Sequence, residues 1–148
     1  MKRLSIAIAA IALAAALGAG TASAAAPRII IVSGKPLAQQ VVIANWQAIF
    51  AVVNEVLNAR VVQRRQLAGR PSLKVSMFWG PRWNDYLSKG NRASTLRPKQ
   101  ADQFGSFYPA WRGQPAAIDL LGAGRRPRVV PAKALAILKR FGVPVNAR

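Results

Sequence analysis

Apolar and polar positions alternate along this chain in two different periods, and the changes of period mark out its elements. Ile29-Ile30-Ile31-Val32 is a β-branched run between Arg28 and Ser33-Gly34, which predicts a central strand closed by a turn at Gly34-Lys35-Pro36. Gln40 to Ala44, with Val41-Val42-Ile43 inside it, predicts a second strand. From Asn45 the period lengthens to that of a helix. Trp46, Ile49, Phe50, Val53 and Leu57 fall on one face, Asn45 is a good N-cap, and the helix is expected to run to about Ala59.

Residues 60 to 72 carry Arg60, Arg64, Arg65 and Arg70 and break at Gly69-Arg70-Pro71, so a basic connector is expected there. Leu73 to Trp79 returns to period two and ends at Gly80-Pro81, as a half-buried strand does. The stretch from Arg82 to Gln103 is mixed; Trp83, Tyr86 and Leu87 share one short helical turn, and the rest reads as loop. Phe104 to Trp111 and Ala116 to Leu121 flank Arg112-Gly113-Gln114-Pro115, the pattern of a hairpin with Pro109 on an edge. Arg128-Val129-Val130 adds a short strand. A last helix opens at Pro131, presents Leu135, Leu138 and Phe141, and stops at Gly142 with Pro144 beyond.

Strands outnumber helices and mostly follow one another. The expected fold is therefore a small single α+β domain: a mainly antiparallel sheet of about five strands with two helices on one side.

The N-terminal segment has a different character. Met1-Lys2-Arg3 is followed by the uncharged run Leu4 to Leu17 and by Thr21-Ala22-Ser23-Ala24, the order of a secretory signal peptide. The run is shorter and more Ala-rich than a membrane span requires. Residues 1–24 are read as a cleaved signal, with Ala26 as the competing cleavage site, and 25–148 as one basic domain exported to the periplasm or beyond. Removing Lys2 and Arg3 from the 22 basic residues leaves 20 against four acidic ones, a net charge of +16. Such an excess repels itself and draws polyanions. Outside the cytoplasm these are anionic lipid surfaces, lipopolysaccharide, wall polymers and nucleic acid.

Composition then removes most chemistry. The chain has no His and no Cys, which excludes histidine general acid/base catalysis, serine triads, thiolate nucleophiles, disulfides and the usual zinc and iron–sulfur ligand sets. No cofactor and no metal are expected. Asp85 and Asp102 are the one pair that suggests a glycosidase-type acid and nucleophile, and hydrogen bonding within loops is the simpler role for both. Asp119, in an apolar strand, is expected to face solvent or pair with an arginine.

Two segments remain as candidate sites. Leu121-Gly122-Ala123-Gly124-Arg125-Arg126-Pro127-Arg128 fails the dinucleotide pattern because Pro127 stands in place of the third small residue and no helix opens after Gly124, yet a Gly-rich turn bearing three arginines, Arg125, Arg126 and Arg128, suits an anion. The second segment holds eight of the eleven aromatic residues, between Phe78 and Trp111, interleaved with arginines. Phe78, Phe104, Phe107 and Trp111 are expected in the core. Trp79, Trp83, Tyr86 and Tyr108 are expected at the surface, where with Arg82 and Arg112 they would stack on bases or sugar rings and meet phosphate. The functional expectation is a non-enzymatic exported protein that binds an anionic envelope or extracellular polymer. A carboxylate-dependent glycan hydrolase and an envelope protein–protein interaction domain are the alternatives.

Overall fold

A computed structural model describes residues 26–120 and 125–147. The expected signal peptide and the Gly-rich stretch Leu121 to Gly124 lie outside the described residues. Six strands form one sheet: β1 Ile29–Ser33, β2 Val41–Ile43, β3 Leu73–Phe78, β4 Gln103–Tyr108, β5 Ala117–Leu120 and β6 Arg128–Val129, in the order β2-β1-β3-β4-β5-β6. Every adjacent pair is antiparallel. The α+β class and antiparallel sheet agree with the sequence, with one strand more than expected.

Three α-helices accompany the sheet among the described residues: α1 Trp46–Leu57, α2 Pro81–Ser88 and α3 Ala132–Arg140. The expected two helices, α1 and α3, lie together on one face, where Ile49, Val52, Val56, Ala134 and Leu138 pack on Ile30, Val32, Leu73, Val75, Met77 and Phe107. The opposite face is covered as well. Ile29, Ile31 and Phe78 meet Trp83 of α2 and Leu96, while Val62 and Leu67 of the basic connector pack on Ala117. Helix α2 is thus a full element, longer than the single turn expected around Trp83. The reason lies in β1 and β3: both carry apolar residues at odd and even positions, so both faces of the sheet centre must be covered.

Local signals set the ends of the helices. Asn45 Oδ1 accepts from the Ala48 amide at 2.9 Å, the N-cap its sequence position suggests. At the end of α3 the Val143 amide donates to the Leu138 carbonyl and that of Gly142 to Lys139, with Gly142 at φ 91°. This is a Schellman closure, and Val143 and Leu138 are buried in the same core. The expected hairpin forms between β4 and β5, Arg112 and Gly113 taking the two positive-φ positions between Trp111 and Gln114. However, β4 lies between β3 and β5 and not at the expected edge, with Pro109 just beyond its end.

One stripe differs from expectation. Helix α1 buries Ile49, Val52 and Val56, whereas Trp46, Phe50 and Leu57 are exposed by 40 to 44 %. Apolar residues occur nearly all round this helix, so its own sequence offers two stripes. The position of β1 and α3 selects one. No helix among the described residues is long and apolar enough to cross a membrane.

Candidate functional site: an arginine-rimmed apolar cavity

The basic connector gives the site its walls. After α1 the chain crosses the outer edge of β6: Val61 bridges Arg128, the Val62 amide donates to Pro127 and the Val129 amide to Arg60. These bonds cover an edge that would otherwise stay open. They also bring two arginine-bearing segments, 60–65 and 125–128, side by side. Arg128 Nη1 donates to the Ala59 carbonyl at 2.7 Å, tying β6 to the chain just beyond α1.

Between α1 and the sheet lies a cavity of about 380 Å³. Val52, Val53 and Val56 of α1 form its roof, and Val75, Met77, Ile118 and Leu120 of the sheet its floor. Leu138 and Val143 close the α3 side. Its exposed lining residues are Leu57, Val61, Arg125 and Arg126, which therefore form the mouth. The volume is within the roughly 300–1,000 Å³ of small-molecule sites. Sealed and empty, an apolar space of that size would cost on the order of 9 kcal/mol at about 24 cal/mol per Å³. That is most of a domain's usual stability. An opening to the outside and an occupant are the physical ways to avoid that cost.

The electrostatics of the mouth follow from the carboxylates. Glu55 meets Lys133 at 3.9 Å, Asp85 meets Lys89 at 2.7 Å, Asp102 pairs with Arg82, and Asp119 binds Arg64. The last pair is two-pronged: Arg64 Nε and Nη2 donate to Asp119 at 3.0 and 3.2 Å. This hydrogen-bonded ion pair raises the Arg64 pKa above its ordinary value. Nη2 also donates to the Arg125 carbonyl at 3.1 Å. The buried Asp119 is thus consumed by Arg64 and does not neutralise Arg125 or Arg126.

The other candidate residues are distributed over the molecule. Trp79 lines the cavity, half-buried, and its indole Nε1 is a buried donor without a hydrogen-bond partner among the described residues. Trp83 is buried at 7 % exposure, contrary to its expected surface position. It packs edge-on against Phe78 at 4.9 Å, and its Nε1 donates to Asp102 Oδ2 at 2.7 Å. Tyr86 is half-buried, bonded to Thr95 at 2.6 Å. Tyr108 is half-buried on the opposite face from the cavity, beside Arg70. Arg112 stands at the hairpin tip over Trp111. Phe78 and Phe107 are core as expected, while Phe104 and Trp111 are only half-buried.

The interleaving of aromatics and cations therefore resolves largely inside the molecule. Arg82 lies over Trp83 at 4.6 Å, Arg112 over Trp111 at 4.4 Å, Lys74 over Phe104 at 4.5 Å, Arg70 over Tyr108 at 5.9 Å and Arg28 over Trp46 at 5.6 Å. Each ring already faces a cation of its own chain. The structure brings Trp79, Arg125 and Arg126 to one cavity and leaves Arg82, Trp83, Tyr86, Tyr108 and Arg112 elsewhere.

Asp85 and Asp102 are both engaged. Asp102 Oδ2 accepts from the Trp79 amide and the Trp83 indole, and Oδ1 from Arg82. It fastens the end of β3 to α2. Among the described residues, no group of three or more His, Cys, Asp or Glu could hold a metal ion. Sequence reasoning missed the cavity itself; Arg128, the third arginine of the Gly-rich segment, lines it with Arg125 and Arg126. The chain matches no protein-family model, no curated protein and no solved structure.

Proposed function

We propose that this protein is an exported, non-enzymatic binding protein for an anionic component of the cell envelope or its surroundings. One observation carries the reading: the four carboxylates of the chain each engage a different basic side chain, Lys133, Lys89, Arg82 and Arg64. The remaining positive charge has no acidic side-chain partner among the described residues. Repulsion among those charges costs stability, and an external polyanion offsets it.

The test is a pull-down of the purified protein on lipopolysaccharide, wall polymer, anionic vesicles and nucleic acid across a salt series. Retention at low salt that falls steeply as salt is raised is the expected result, because binding that releases counterions has that dependence. Absence of salt-sensitive retention on all four removes the reading.

A second reading, an interaction domain for an envelope protein, is favoured by the exposed stripe Trp46, Phe50 and Leu57 on α1. Trp46 and Phe50 touch at a ring separation of 5.4 Å and form an apolar surface pair. A photo-crosslinker placed at Phe50 tests it: a single discrete adduct supports this reading, and no adduct in intact cells rejects it.

A further inference from the structure

We infer that the cavity between α1 and the sheet takes the chain of a single-chain anionic amphiphile, a fatty acid or a lysophospholipid, whose carboxylate or phosphate meets Arg125 and Arg126. This rests on the reading of the protein as an anion binder and names the ligand class of one site on it.

Three independent features converge on that chemistry. The interior is mostly apolar: Val52, Val75, Met77, Phe107, Ile118 and Leu120 offer hydrocarbon surface, with the indole Nε1 of Trp79 as its buried unpartnered donor, so it suits a hydrocarbon chain better than a sugar or a base. The mouth is cationic, with Arg125 and Arg126 exposed and the nearby carboxylate of Asp119 already taken by Arg64. Geometry places the two together: Arg64 holds the Arg125 carbonyl, and the Val61–Arg128 bridge joins the same two segments at the cavity wall. An apolar chain with one anionic end satisfies interior and mouth at once. A polymer without an acyl chain satisfies only the mouth, and an uncharged lipid only the interior. The planar fork of an arginine binds carboxylate and phosphate alike, so fatty acid and lysophospholipid share the head chemistry.

The purified protein is titrated with laurate, lauroyl lysophosphatidylglycerol and lauryl alcohol below their aggregation thresholds, with tryptophan fluorescence as readout. Trp79→Phe assigns the signal to the cavity. At least one anionic ligand is expected to bind about tenfold or more tighter than the alcohol. Arg125→Glu with Arg126→Glu, both exposed and therefore compatible with folding, should abolish that difference while leaving alcohol binding within about twofold. Ile118→Trp should weaken all chain-bearing ligands by filling the floor. Equal binding of laurate and lauryl alcohol, no binding of either, or unchanged binding in a folded Ile118→Trp protein overturns the inference. The laurate and lysophospholipid arms tell a free fatty acid from a phospholipid source. Retention on the anionic polymers, measured in parallel, separates the two proposals: if it persists without laurate binding, only the cavity assignment falls.

Discussion

Asp119 on β5 and Arg64 on the connector are 55 residues apart and form a two-pronged ion pair at 3.0 and 3.2 Å, and the same guanidinium holds the Arg125 carbonyl at 3.1 Å. One carboxylate thereby fixes the segment that rims the cavity. Asp119→Asn keeps the shape and removes the charge. The expected outcome is a melting temperature lower by several degrees together with weaker retention on anionic ligands, although the variant is more positive than the parent. Calorimetry and a salt-series pull-down on the same preparation check both effects. Tighter binding, as net charge alone would dictate, would show that Asp119 does not organise the mouth.

Asp102 is expected to behave as a fastening. Asp102→Ala leaves the partly buried Trp83 indole without its acceptor, a loss of about 1–3 kcal/mol, and frees the Trp79 amide. Denaturant unfolding should show a lower midpoint with an unchanged slope. Trp79 lines the cavity, so its emission should change in the folded variant as well.

The two helix ends are separable from the site. Asn45→Ala removes the hydrogen bond to the Ala48 amide and should cost about 1 kcal/mol. Gly142→Ala forces a side chain into φ 91° and should cost about 1 kcal/mol. Each cost is read separately by equilibrium denaturation.

Gly105 is needed for close strand approach. A Cβ there would meet the Asp119 carbonyl oxygen at 2.7 Å and the Leu120 Cα at 3.2 Å, both backbone atoms of β5. Gly105→Ala should cost about 1–3 kcal/mol or more, since overpacked backbone has little room to move. It should also disturb Asp119 and so weaken anion binding, and a melting curve with a parallel pull-down measures the two.

Binding and stability should be flat between about pH 6 and 8, because the chain lacks His, the side chain that ordinarily titrates there. The resolved shifts belong to arginines at the alkaline end. Burial lowers the Arg70 pKa, and the pair with Asp119 raises that of Arg64. Because its folded value is the higher one, the Arg64 contribution is fully present below its ordinary value and is lost only as pH rises through the raised one. Thermal scans across the neutral range should superimpose.

Much of the fold was legible from local signals, because those signals act between neighbours in the chain. The strand runs at Ile29 and Leu73, the cap at Asn45, the Arg112-Gly113 turn and the stop at Gly142 each involve a few adjacent residues, and the structure shows all of them. The α2 helix is only partly legible because its N-terminus is marked only by Gly80-Pro81 and no local signal shows that its anchor, Trp83, is buried. What buries Trp83 is Phe78 on one side and Asp102 on the other, the latter 19 residues away.

The sequence by itself determined the class of the protein: an antiparallel α+β domain without disulfides, histidine or thiol chemistry, carrying a large positive excess. Tertiary structure alone decided which stripe of α1 faces the sheet, since Trp46, Phe50 and Leu57 compete with Ile49, Val52 and Val56 in apolar character and only the packing partners choose between them. It also decided that each carboxylate is spent on its own cation and that Arg125 and Arg126 rim an apolar cavity. Those outcomes depend on contacts across tens of residues, where closure of the fold, and not local periodicity, sets which side chains meet.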